Sequence, residues 1–333
     1  MKKTLSATVT LIALVAVLGM FNANTADAAK VIKFQSVYPE TSFYADHLKI
    51  FADKVGEYTG GDVKIKLYWP GQLVKSKEGW KALQRGMIEG LALGAFYGAG
   101  FMPEGNGGFL SLAWSNDQEM VDIFLNHGFL DVMREAGAQH NMRYLVPLSA
   151  GSMGLLTKFP VRTLDDLKGK KIKSAGISAE FLKSLGVAPV SLSQTEQYMA
   201  LQRGTIDGTH YPDYTLETYK LYEVVDYIIK PALQTPVPVA MWLNLKTWND
   251  LSPANKEAVD KAAIETMKEA AEMGRKKDED AWAFAEKHGV TLMKLPPEEV
   301  KRFKEAVMPF WEAHAKKSPL CAKQVEILKN YKK

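Results

Sequence analysis

From residue 31 the chain alternates between two kinds of pattern. Residues 31–37 form a short apolar run, and Pro39-Glu40-Thr41-Ser42 turns it. Tyr44, Leu48, Phe51, Val55 and Tyr58 then fall on one helical stripe, which Gly60-Gly61 stops. Val63, Ile65, Leu67 and Trp69 alternate with Lys64, Lys66 and Tyr68, as in a half-buried strand. Strand, helix and strand in that order predict a right-handed βαβ unit and a parallel sheet. The second half repeats the logic, with a turn into a strand over 169–174, a helix over 179–185 and a strand over 187–192. Ser193, with Glu196 three residues on, predicts a capped helix over 195–203. Pro253 opens a helical pattern running to about 288, long enough to span two lobes as a spine. Pro296-Pro297 starts a last helix with Val300, Phe303, Val307 and Phe310 on one face.

The two halves share a corner. Ala82-Leu83-Gln84-Arg85-Gly86-Met87-Ile88-Glu89-Gly90 returns 118 positions later as Ala200-Leu201-Gln202-Arg203-Gly204-Thr205-Ile206-Asp207-Gly208. Each copy closes a helix with a glycine, which tolerates the left-handed conformation a helix end needs. Strands over 91–95 and 205–209 follow. The reading is α/β, with two related lobes around a cleft and with Glu89 and Asp207 in structural roles at the corners. Lobe crossings are expected near 148–151 and 233–237. That gives residues 29–148 plus about 237–270 to lobe 1, and 149–236 plus about 271–333 to lobe 2. The spine over about 253–288 spans both.

The first residues change the picture. Lys2 and Lys3 precede an apolar stretch over 11–21, and Ala26-Asp27-Ala28 supplies a small-x-small site. This predicts a signal peptide over 1–28, cleaved near Ala28, and export to the periplasm. Removing it takes basic residues from 42 to 40 and acidic from 38 to 37, leaving a net charge of about +3. So small a charge on 333 residues argues against a nucleic-acid partner. Cys321 is the only cysteine and has no partner within the chain.

Motifs for catalysis or cofactors are missing. The six histidines show no metal-binding helix spacing, and there is no H-E-x-x-H, Cys-x-x-Cys or calcium loop. Ala150-Gly151-Ser152-Met153-Gly154 is not a nucleophile elbow. In the glycine-rich run over 94–108, Pro103 stands where a dinucleotide fingerprint needs its third glycine, so the run reads as a close-packed or flexible loop. The expectation is no enzyme, no cofactor and no metal.

Several blocks occur in an order that carries a resemblance: Phe51 to Val55, Thr59-Gly60-Gly61 and Pro70-Gly71-Gln72-Leu73, then Leu164-Asp165-Asp166-Leu167-Lys168-Gly169-Lys170-Lys171-Ile172-Lys173, the second repeated corner, and Asn244-Leu245-Lys246-Thr247-Trp248-Asn249-Asp250-Leu251-Ser252-Pro253. Over nearly the whole mature chain this resembles the DctP-type substrate-binding proteins of TRAP transporters. The resemblance implies a two-lobed, type II-like periplasmic binding protein with mixed sheets, lobe-crossing strands and a spine helix. It also implies small and large integral membrane subunits as partners. Such proteins usually place an arginine where this chain has Lys173, and a second where the triplet Gly151-Ser152-Met153 ends in methionine. Arginine forks a carboxylate through two N–H groups, whereas lysine offers a point charge. Either Lys173 alone holds an anionic head, or backbone and hydroxyl donors, Ser152 and Ser174 among them, share the work.

Met153 suits an apolar slot. Tyr211, with His210, Asp213 and Tyr214 nearby, follows the second corner. Tyr38, Phe43, Phe96, Tyr97 and Trp114 lie in or beside strand-end loops of the other lobe, and Trp242 precedes Asn244, whose amide would bond ligand oxygens. Singly, each aromatic reads as core; together they point to a flat apolar or aromatic ligand. The expected ligand is therefore a small organic acid with such a body, in the class of aryl or indolyl keto acids, acetic acids or amino acids. The alternatives are a short hydroxy- or sulfo-acid, an orphan sensor feeding a membrane receptor, and a periplasmic enzyme.

Overall fold

In the computed structural model, which describes residues 29–332, the strands are β1 (Lys30–Ser36), β2 (Val63–Tyr68), β3 (Gly90–Ala92), β4 (Met142–Ser149), β5 (Met153–Thr157), β6 (Lys171–Lys173), β7 (Ala188–Val190), β8 (Gly208–Pro212), β9 (Tyr227–Gln234), β10 (Pro238–Asn244) and β11 (Thr291–Lys294). The predicted leader over 1–28 lies outside the described residues. Two sheets divide these strands, in the orders β2-β1-β3-β10-β4 and β11-β9-β5-β8-β6-β7. β1 runs parallel to β2 and β3, as the βαβ pattern predicts, and antiparallel β10 and β4 complete a mixed sheet. The second sheet is mixed too: β6 is parallel to β7 and β8, and β5 antiparallel to β8 and β9. The fold is α/β and two-lobed.

The chain passes between sheets at 150–152, between β4 and β5, and at 235–237, between β9 and β10. The two crossings pair with each other: Ala150 N–H donates to Val237 O, and Val237 N–H to Gly151 O, both at 2.9 Å.

The sequence repeat is a repeat in atoms. Gly86 and Gly204 share a φ of +70°, in the left-handed region. Met87 N–H reaches back to Ala82 O at 2.8 Å, and Thr205 N–H to Ala200 O at 2.9 Å. The acid that follows then grips the neighbouring strand. Lys33 N–H donates to the Glu89 carboxylate at 2.7 Å, and Lys171 N–H to that of Asp207 at 2.8 Å. Strands begin at Gly90 and Gly208, so the second lies three residues later than the expected 205. Ser193 and Glu196 do pair, at 2.6 Å, but the hydroxyl donates to the carboxylate, and the regular helix starts at Gln197.

The helix Phe43–Tyr58 buries Tyr44, Leu48, Phe51 and Val55 along the predicted stripe. The spine helix runs over Pro253–Lys287, about 50 Å at 1.5 Å per residue. It packs on β4 and the helices Phe43–Tyr58 and Asp117–Asn126 of the first lobe, and on Thr215–Thr218 and β11 of the second. The helix Pro297–Ala315 sets Phe303 and Phe310 against Phe181 of the second lobe. One expectation is corrected here. The last helix, Pro319–Tyr331, belongs with lobe 1, because its buried face of Leu320, Val325 and Leu328 packs on the Pro103–Phe109 segment and the helix Phe129–Ala138. Gln324 also donates to Glu104 O at 3.0 Å. The glycine-rich run is close-packed: a Cβ on Gly105 would sit 2.2 Å from Ala95 O.

Candidate functional site: a cleft between the lobes

A cleft of about 1020 Å3 is lined by both lobes. The first contributes Tyr38 from the turn after β1, Phe43 and Tyr44 from the start of their helix, and Phe96, Tyr97 and Phe109 from the glycine-rich segment. The second contributes Met153 at the start of β5, Lys173 and Ser174 at the end of β6, and His210, Tyr211, Tyr214 and Tyr219 on and beyond β8. Val237 and Val239 lie at the crossing. The rings pack on one another, with Tyr38 and Tyr44 centroids 4.4 Å apart and Phe96 and Phe109 stacked at 4.3 Å. Burial pushes the Tyr38, Tyr44 and Tyr211 hydroxyls well above the usual phenol range, so all are neutral. Tyr44 of the first lobe and Tyr214 of the second both line the cleft.

Lys173 supplies the charge. It is 9% exposed, and its Nζ lies 4.0 Å from the centroid of the Tyr211 ring. Among the described residues no carboxylate pairs with it and no oxygen accepts from it. Burial alone draws its ammonium down to about 8. Stacking on a ring face compensates a desolvated cation only in part. Behind it, Ser174 Oγ is 3.4 Å from His210 Nδ1, and His210 Nε2 is 3.0 Å from Gln234 Oε1. The Gln234 amide nitrogen donates to Phe109 O at 3.2 Å. Burial pulls the His210 imidazole down to about 4, with the Lys173 charge pushing the same way, so the ring is neutral.

The structure thus gathers Lys173, Ser174, Tyr211, Tyr38, Phe43, Tyr97 and Met153 around one cavity. It places the other five expected residues elsewhere. Asn244 caps the helix Leu245–Asn249: its side-chain oxygen accepts from Lys246 and Thr247 N–H, and its nitrogen donates to Leu83 O at 2.8 Å. The oxygen accepts two hydrogen bonds and the nitrogen donates one, all within the first lobe, and Asn244 is not among the residues lining the cleft. Trp114 is buried with Nε1 on Pro236 O at 2.9 Å, and Trp242 is buried with Nε1 on Leu93 O at 3.1 Å. Ser152 spends its N–H and hydroxyl on Asp278. Asp213 is ion-paired with Lys230 at 2.6 Å and accepts from Trp282 Nε1 at 2.9 Å. All five are engaged within the fold, although Asp213 Oδ1 is buried without a partner, and a family position alone does not reveal those engagements.

Sequence reading passed over Gln234, Phe109 and Tyr219. Gln234 ends an apolar strand beside the crossing, and its side-chain chemistry there was the only available signal. Among the described residues no group of three or more His, Cys, Asp or Glu side chains is placed to hold a metal, and no helix is long and apolar enough to cross a membrane.

A ring-rich cleft with one nearly buried cation, set between two lobes joined by paired crossings, is the architecture of a solute-binding protein. Residues 34–318 match the family described as DctP, bacterial extracellular solute-binding protein, family 7, and the chain belongs to that family. It is 27% identical to the C4-dicarboxylate-binding periplasmic protein DctP of Rhodobacter capsulatus, covering 86% of this chain and 87% of that one. It is 23% identical to the sialic acid-binding periplasmic protein SiaP of Vibrio cholerae, over 90% and 92%. A TRAP periplasmic solute-binding protein of Rhodobacter sphaeroides, solved apo and open, superposes with a TM-score of 0.80 at 26% identity, over 90% and 97%. Family and fold are those of the binding subunits of TRAP transporters.

Proposed function

We propose that this protein is exported, loses residues 1–28, and captures in the periplasm a small organic acid with an aromatic or apolar body, which it delivers to the small and large TRAP membrane subunits. Lys173 faces the acid, and Tyr38, Phe43, Phe96, Tyr97, Met153 and Tyr211 cover the body. One observation carries this reading: a nearly buried ammonium with no ion-pair partner opens into a cavity lined by Tyr38, Phe43, Tyr44, Phe96, Phe109 and Tyr211, with Glu40, Asp46 and Lys277 also in its walls. A buried charge needs a partner, and the solute supplies it. The relatives named for sialic acid and C4-dicarboxylates also take carboxylates.

Mass spectrometry of the small molecule released on denaturing freshly purified protein tests the reading. An aromatic or apolar acid is the expected result, and a polyol, a cation or a peptide overturns it. A thermal-shift screen of aryl-substituted acids against short acids gives the same answer independently, since tight binding raises Tm by mass action.

A further inference from the structure

The hydroxyl beside the cation points its proton away from the cleft. Gln234 is oriented by its donation to the Phe109 carbonyl, which requires the NH2 side there and leaves Oε1 facing His210. Oε1 has no hydrogen, so His210 Nε2 carries the ring proton. The neutral ring then has its lone pair on Nδ1, 3.4 Å from Ser174 Oγ, and the Met153 main chain is a further polar neighbour of the ring. Nδ1 accepts, and Ser174 donates to it. What Ser174 has left for the cavity is lone pairs. The direction of every bond in the row Phe109, Gln234, His210, Ser174 is therefore set by a main-chain carbonyl.

We infer that Ser174, held as an acceptor by His210 and Gln234, makes the cleft select acids that carry a hydroxyl next to the acid group over the matching 2-oxo acids. This rests on the proposed placement of the acid at Lys173. A hydroxyl on the carbon beside the carboxylate donates to Ser174, whereas a ketone there sets oxygen lone pairs against oxygen lone pairs. The like charge of Lys173, one residue away, disfavours an amino acid's ammonium at the same spot. Sites that hydrogen-bond a substrate hydroxyl reject the analogue lacking it far more strongly than apolar pockets reject a missing methylene. His210 and Gln234 act through Ser174 and are positioning residues.

Titration calorimetry with 3-phenyllactate and phenylpyruvate, and with lactate and pyruvate as ringless controls, reads the preference directly. The hydroxy acid should bind at least ten-fold tighter within a pair. Ser174→Ala should bring the ratio near one. His210→Phe frees the Ser174 proton to turn into the cavity and should shift the ratio toward the oxo acid, which loss of packing alone would not do. Equal binding of both acids by the wild type, or a ratio unmoved by Ser174→Ala, overturns the inference while leaving the acid-binding reading intact. If no acid of either pair binds, both fall. If lactate binds and neither phenyl acid does, the aromatic body is wrong and the hydroxyl preference is decided on the short pair.

Discussion

Ser152 gives both its hydrogens to Asp278. Its backbone N–H lies 2.9 Å from each carboxylate oxygen and its hydroxyl donates at 2.5 Å. Ser152 sits in the first crossing and Asp278 on the spine helix, so this contact ties crossing to spine. Nearby, Asp117 accepts from Ser149 Oγ at 2.5 Å, at the end of the strand that leads into the crossing.

Burial pushes the Asp278 carboxyl up to about 7, with Asp213 adding to the rise and Ser152 and Lys230 opposing it. Asp117 rises to about 6, again through burial, with Glu272 adding and Ser149 and Arg275 opposing. These groups hold protons more tightly folded than unfolded, so their contribution to stability falls as pH rises from about 4 through 7. Melting curves of the wild type and Asp278→Asn should diverge over that window. The variant loses less Tm between pH 5 and 7.5, and parallel curves count against this account.

Asp213 is fully buried and pairs with Lys230, which also stacks 4.2 Å from the Trp282 ring centroid. Removing one partner of a buried pair strands the other charge. Asp213→Ala is expected to cost about 3–5 kcal/mol in denaturant unfolding, and Asp213→Ala with Lys230→Met should recover part of it.

Gly274 lies mid-spine, where alanine would ordinarily improve a helix by about 0.5–1 kcal/mol. Here a Cβ would sit 2.0 Å from Ser149 Oγ and 2.9 Å from the Asp117 carboxylate. Gly274→Ala should therefore destabilise, by about 1–3 kcal/mol on urea unfolding.

Asn244→Ala separates capping from recognition. It removes a helix cap, at a cost of about 1–2 kcal/mol, while solute affinity in calorimetry stays at the wild-type value. Lost affinity in a fully folded variant would return the amide to the site.

Lys173→Ala should weaken acid binding by about 2–4 kcal/mol, the range for an interfacial charge left without its partner. Because burial lowers the free ammonium to about 8, binding an anion above that pH must restore the charge. Affinity should hold below about 8 and decline above it, with proton uptake visible as a dependence of the calorimetric heat on buffer. Uptake that persists in Lys173→Ala would assign the proton to another group.

The fold was legible where one physical rule acts locally. The stripe from Tyr44 to Val55, the glycine corners at Gly86 and Gly204, and the proline start at Pro253 each depend on neighbours within a turn or two. The antiparallel insertion of β10 between β3 and β4 was not legible, because it joins residues about 150 and 100 positions apart. The same distinction runs through the site. Lys173 and Tyr211 sit at strand ends that the repeat locates. Asn244, Trp114 and Trp242 have the same chemistry as cleft residues, and only their partners at Leu83, Pro236 and Leu93 show those atoms to be already engaged.

If the halves swing, the paired crossings at Ala150, Gly151 and Val237 are the line about which they turn. A swing moves distant points most and near points least. Tyr97 and Tyr219, exposed at opposite walls, would part widely, while the row from Phe109 to Ser174 starts beside the pivot and would scarcely change. The solute would then meet its chemical test before the jaws come together, and shutting would lock in a choice already made.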